Sequence, residues 1–103
     1  MGMFELHAAR RALLVALRQA GIDGPEWSVA ASSYHEIQID RFNFADAYVT
    51  VHLNDSDTDR YTLRLWERQG AEWTVGVGPT RHFDPAVIAE QTKTLLEDRE
   101  PSN

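Results

Sequence analysis

Between Ala47 and Leu53 apolar and polar residues alternate without a break, Ala47, Val49, Val51 and Leu53 against Tyr48, Thr50 and His52. A period of two commits this segment to a β-strand with one buried face and one face toward water. Such a strand needs partners, and the sequence supplies them nearby. Beyond the polar run from Asn54 to Asp59, Tyr61, Leu63 and Leu65 alternate with Thr62, Arg64 and Trp66; after Arg68-Gln69-Gly70, Trp73, Val75 and Val77 alternate with Glu72, Thr74 and Gly76. The first pair reads as a long-looped hairpin. The second reads as a hairpin with a three-residue loop and Gly70 in the left-handed region, which pairs Leu65 with Trp73 and Leu63 with Val75 and keeps every apolar residue on one face. A two-residue loop would break that match.

Upstream, His35, Ile37 and Ile39 share one face of a further strand, with Tyr34, Glu36, Gln38 and Asp40 on the other. The alternation from Trp27 to Ala31 is too brief to separate a strand from an extended segment. Ser32 and Ser33 are turn residues in this reading.

Both ends of the chain change period to about 3.6. Leu6, Ala9, Leu13, Ala16, Leu17 and Ala20 recur at three- and four-residue steps between Phe4 and Ala20, which predicts an amphipathic helix. Gly21 can take the left-handed position after it, with Ile22 placed to touch Leu17, and Asp23-Gly24-Pro25 forbids continuation. Near the other end Asp84 can cap a helix that starts at Pro85, with Phe83 and Ile88 as a hydrophobic staple. That helix is expected to run to about Arg99 with Val87, Ile88, Thr92, Leu95 and Leu96 inward, leaving a frayed tail over about 100–103. The fold expected is therefore a single α+β domain over residues 1–103: an N-terminal helix, a three- to four-stranded antiparallel β-meander and a C-terminal helix, both helices on one face of the sheet.

Composition narrows the function classes. The 103 residues are 43% hydrophobic, enough for a core without metal or disulfide. Cysteine is absent, which removes disulfide scaffolds, thiolate zinc sites and cysteine nucleophiles and suits a reducing cytoplasm. No apolar stretch approaches the roughly 18 residues needed to cross a bilayer, and no targeting segment or myristoylation signal is read at the start, where Leu6 replaces the required Ser or Thr. Sixteen acidic residues against ten basic ones give a formal charge of −6, which repels a phosphate backbone, so neither nucleic acid nor membrane is expected as a partner.

The motifs of common chemistry are incomplete. Asp55, Asp57 and Asp59 resemble the first positions of a calcium loop, but Arg60 and Trp66 stand where such a loop needs Gly and a bidentate Glu. His7, His35, His52 and His82 have no zinc-binding spacing, and His35 is expected as a core or rim histidine beside Ile37. No Gly-x-Ser-x-Gly elbow is present. Gly76-Val77-Gly78-Pro79 lacks the helix and lysine of a phosphate cradle, and Gly78-Pro79 is expected to turn the chain toward the last helix; a phosphate held there with Arg81 and His82 is a minor alternative. Glu97, Asp98 and Glu100 crowd the negative end of the last helix, a patch that solvation of a frayed terminus explains better than a basic partner does. No metal and no cofactor is called for.

What stands out is the face the helices leave open. Tyr48, His52, Arg64 and Trp66 lie there, and Tyr, Trp and Arg combine contact area with directional polar groups, as interface hot spots do. An RNA platform would need a basic stripe that is missing. The reading favoured is a small acidic, non-enzymatic protein-binding module of the inhibitor or immunity type, with Tyr48, His52, Arg64 and Trp66 as contact residues and self-association through the same face as a further use. The alternative is a small-molecule-binding domain or small enzyme with a cavity between sheet and helices, lined by His35, Trp73 and Tyr61.

Overall fold

The computed structural model describes residues 3–42, 46–55 and 58–97. Helix α1 (Met3–Gln19) leads into strands β1 (Trp27–Ser33), β2 (Glu36–Arg41), β3 (Ala47–Leu53), β4 (Tyr61–Gln69) and β5 (Glu72–His82), and helix α2 (Pro85–Glu97) follows. The strands form one antiparallel meander in the order β1-β2-β3-β4-β5. The strand count exceeds the three or four expected because Trp27–Ser33 pairs along its length with β2. Among the described residues no helix is long and apolar enough to cross a membrane.

Both helices pack against each other and on the same side of the sheet, α1 on β3 and α2 on β3, β4 and β5. The core between the layers is built from Leu6, Leu13 and Leu17 of α1, Ile88 and Leu96 of α2, and Ile37, Ile39, Val49, Val51, Leu63 and Leu65 of the sheet, all buried. Tyr61 crosses the layers: its hydroxyl donates to the Ala9 carbonyl at 2.7 Å, which satisfies the one polar atom this ring carries inside.

The helix ends follow the residues that signal them. Gly21 has φ of +90°; its N–H donates to the Arg18 carbonyl and the Ile22 N–H to the Leu17 carbonyl at 2.8 Å, while Leu17 and Ile22 are both buried. This is a complete Schellman ending. Asp84 Oδ1 accepts from the Ala86 N–H at 2.9 Å and caps α2. The expected staple is not built, since Phe83 stays 56% exposed although Ile88 is fully buried; His82 Nδ1 accepts the Asp84 N–H instead. The helix is described to Glu97, and the expected extension to Arg99, the acidic residues Asp98 and Glu100 and the tail lie outside the described residues.

Several expectations about the sheet are corrected. Tyr34-His35 forms the two-residue turn between β1 and β2, so His35 is an exposed turn residue and not a neighbour of Ile37 in the core. Its N–H donates to the Oγ of Ser33, and Ser32 and Ser33, expected in a turn, are the last two residues of β1. The β4–β5 hairpin closes through Gly70-Ala71, with Gln69 opposite Glu72 and Gly70 at φ of +65°. A two-residue loop of this kind matches the right-handed twist of the strands, which is the physical reason it prevails. The register then slips twice, between Leu63 and Leu65 and between Leu65 and Trp66, so that the eleven residues of β5 oppose the nine of β4.

Gly76 and the Gly78-Pro79 pair fall within these bulges, where a strand accepts residues that an even ladder does not. Gly78-Pro79 therefore does not turn the chain: β5 continues to His82 as an edge strand, and the glycines form no loop about a phosphate. Trp73 pairs with Arg68 and Val75 with Trp66, not with Leu65 and Leu63. Both side chains thereby move from the expected core to the opposite face, where Trp73 is 41% and Val75 44% exposed.

Candidate functional site on the open sheet face

The face turned away from the helices is organised by the β3–β4 register, which sets Tyr48 opposite Trp66, Thr50 opposite Arg64 and His52 opposite Thr62. Tyr48 and Trp66 stack with ring centroids 6.1 Å apart and planes 12° from parallel. Trp73 meets Tyr48 edge-on at 4.8 Å and 67°. Both arrangements suit the ring quadrupoles. The Trp66 Nε1–H donates to Thr50 Oγ1 at 2.9 Å, so the indole is fixed in rotation as well as in position. Thr50 beneath it is buried although it belongs to the open face.

At the other end of the same face, His52, Asn54, Asp59, Thr62, Arg64 and Arg81 line an open hollow of about 260 Å³. Asn54 Nδ2 donates to the Asp59 carbonyl at 2.8 Å and to Thr62 Oγ1 at 2.5 Å, which holds the loop end against β4. His35 reaches the rim and stacks on His52 with centroids 6.1 Å apart and planes 18° from parallel. Among the described residues no group of three or more His, Asp or Glu is disposed to hold a metal ion; Asp57 of the acidic loop lies outside them.

The third region is acidic. Glu36 of β2 pairs with His52 and Gln38 with Thr50, while Ser32 Oγ donates to Glu36 Oε1 at 2.9 Å and Gln38 Nε2 to Asp40 Oδ2 at 3.1 Å. Burial raises the Tyr48 pKa above the usual 10.0, and the negative charges of Asp40 and Glu36 raise it further. Tyr48 is therefore a neutral hydrogen-bond donor at physiological pH. The open face carries acid on β2, the aromatic cluster toward one end of β3, β4 and β5, and Arg64 and Arg81 toward their other end.

No family model, curated protein or solved structure matches this chain.

The four residues singled out from sequence, Tyr48, His52, Arg64 and Trp66, lie on one face but in two groups: Tyr48 with Trp66 in the aromatic cluster, His52 with Arg64 in the hollow. The ring partner of Trp66 is Tyr48, directly opposite it on β3. Trp73 and Val75 were missed because their face depends on the length of the turn: the two residues Gly70-Ala71, in place of the three expected, pair them with Arg68 and Trp66. The three residues expected to line a cavity between sheet and helices are not brought together. His35 is in a turn and Trp73 on the open face, and the Tyr61 hydroxyl is engaged by Ala9 within the core.

Proposed function

We propose that the chain is a protein-binding module that receives its partner on the open sheet face, with Tyr48, Trp66 and Trp73 as anchors and His52 and Arg64 as polar contacts. The observation that carries this reading is the aromatic trio itself: three large rings, one hydrogen-bonded in place, stand with Val75 on a face that neither helix covers. Rigid aromatic groups lose little side-chain freedom when a partner closes over them, which is why they dominate binding energetics. The acidic and basic margins on either side would set the partner's orientation more than its affinity. A partner with an apolar ridge flanked by an acidic segment on the β5 side fits this face. Action as an inhibitor or immunity-type protein in the cytoplasm belongs to the same reading.

The test is affinity enrichment with the wild type, Trp73→Ala, Arg64→Ala and a control on the helix side, Glu90→Gln, after circular dichroism has shown each variant folded. Trp73→Ala should weaken capture of the partner at least about tenfold, the loss of one hot-spot ring. Identical capture by Trp73→Ala and wild type would remove the face from consideration.

The hollow beside Arg64 and Arg81 supports a second, smaller reading, a site for a small anion. Thermal-shift measurement with phosphate and short dicarboxylates tests it, because binding to the folded state raises the melting temperature. A rise that Arg81→Ala abolishes would favour it, and no rise at millimolar anion would end it.

A further inference from the structure

The two edges of the sheet differ in protection. β5 carries Glu72, Pro79 and Arg81 and two bulges, devices that make an edge a poor template for another strand. β1, Trp-Ser-Val-Ala-Ala-Ser-Ser, has no charge and no proline, and its one irregularity lies at its end, between Ala31 and Ser33. Its outward hydrogen-bonding groups follow from the ladder. The Phe42 N–H donates to the Glu26 carbonyl, and in an antiparallel pair hydrogen-bonded positions recur every second residue, so Ser28 and Ala30 turn their backbone groups toward β2. Val29 and Ala31 turn theirs away from the sheet, and among the described residues no other strand lies beside β1.

We propose that this edge pairs with the β1 edge of a second copy, antiparallel about a two-fold axis at Ala30, to join two sheets into one of ten strands. In that register Val29 faces Ala31 of the partner subunit and the partner's Val29 faces Ala31, so all four outward residues exchange backbone hydrogen bonds. Ala30 meets its own counterpart at the close, non-hydrogen-bonded position, where a methyl group fits. Ser28 falls opposite the serine at position 32, an uncharged match. A second copy is the occupant because the segment is complementary to itself in this register.

The charges agree. Alongside the edge, Leu14, Leu17, Ile22, Trp27 and Val29 line a groove of about 230 Å³ whose two charged residues, Arg18 and Asp23, are of opposite sign. A copy approaching there meets no net like charge, although the whole chain has a formal charge of −6. A stable interface needs about 800 Å² from each partner, more than a short paired strand supplies. The apolar shoulder formed by Leu14 and Val15, 37% and 42% exposed on α1, supplies further area of the right kind. The pairing does not depend on the proposed function; it would leave the aromatic clusters at the two far ends of the joined sheet, giving a bivalent molecule.

Sedimentation of the full chain tests this. The wild type should reach twice its 11.7 kDa mass with a dissociation constant of about 10 μM. Ala30→Lys and Ala30→Glu, each placing like charges face to face, should sediment as monomers, and their equimolar mixture should restore the dimer. Trp73→Ala should leave the dimer intact, which separates this contact from association through the open face. Because the chain has no cysteine, Ala30→Cys gives an independent reading: opposed Cα atoms about 4.5 Å apart allow a disulfide, so mild oxidation should yield a covalent dimer. A wild type that stays monomeric to about 1 mM, or charge variants that self-associate like the wild type, or a mixture that stays monomeric, would overturn the proposal.

Discussion

At the scale of single residues the fold rests on a few positions whose replacement has a defined cost. Gly21 holds φ of +90°, a conformation that a side chain disfavours, so Gly21→Ala should cost about 1 kcal/mol in urea unfolding. Asp84→Ala removes the α2 cap and should cost a similar ~1 kcal/mol. Equal stability of either variant and wild type would contradict the geometry described. Both positions were legible in the sequence, because a glycine after a periodic stripe and an aspartate before proline have local causes. Phe83 was misread as a staple because a staple requires the chain to approach at a particular angle, and that angle is set by β5, not by residues 83–88.

Tyr61 links a residue to pH. Burial raises its pKa above the usual 10.0; the neighbouring Arg60 charge opposes the shift and Asp84 adds to it. Below pH 10 the phenol is protonated in both folded and unfolded chains and contributes no slope. Above it the unfolded chain releases its proton first, so stability falls as pH rises from about 10 through the raised value. Tyr61→Phe should lower stability near neutral pH by about 1 kcal/mol, through the lost bond to Ala9, yet show a shallower alkaline decline. A parallel decline in both proteins would contradict the raised pKa.

At the scale of elements, the alternation in β3 and the stripe of α1 match buried residues position by position, because each pattern is local; in α2 Ile88, Thr92 and Leu96 are buried as expected, Val87 and Leu95 are half-buried, and Ala89 is buried in addition. The β4–β5 hairpin was not legible in the same way. Its register is a compromise between a two-residue turn and a strand that must continue two residues longer than its partner, and alternation alone assumes an unbroken pleat. Gly76 shows the constraint directly: a Cβ there would come within 1.7 Å of Glu67 Oε1 and 2.7 Å of its Cγ. Gly76→Ala should therefore displace the Glu67 side chain and destabilise the hairpin by about 1–2 kcal/mol, and most of that cost should vanish in a Glu67→Ala background. Additive effects in the double-mutant cycle would show that the bulge does not bring these residues together. The two-residue turn decides the candidate site, since it pairs Trp73 with Arg68 on the open face, whereas a three-residue loop would have made Trp73 a core residue and taken the edge-on neighbour from Tyr48.

At the scale of the whole molecule, the two helices and the sheet enclose a core, and among the described residues nothing covers the opposite sheet face. Placement of both helices on one side could be argued from the single apolar face of each strand. The number of strands could not, because β1 is an edge strand whose small residues carry little alternation to read. The central claim is that the partner is received on the aromatic face rather than along the β1 edge or the helices. The chain contains three tryptophans, and they report on different regions: Trp27 beside the α1–β1 groove, Trp66 and Trp73 in the aromatic cluster. The most direct measurement follows the three indole N–H resonances as the captured partner is added to the isotopically labelled chain. The account predicts that Trp66 and Trp73 shift or broaden in step with binding while Trp27 stays in place; movement of Trp27 with Trp66 and Trp73 unchanged would contradict it.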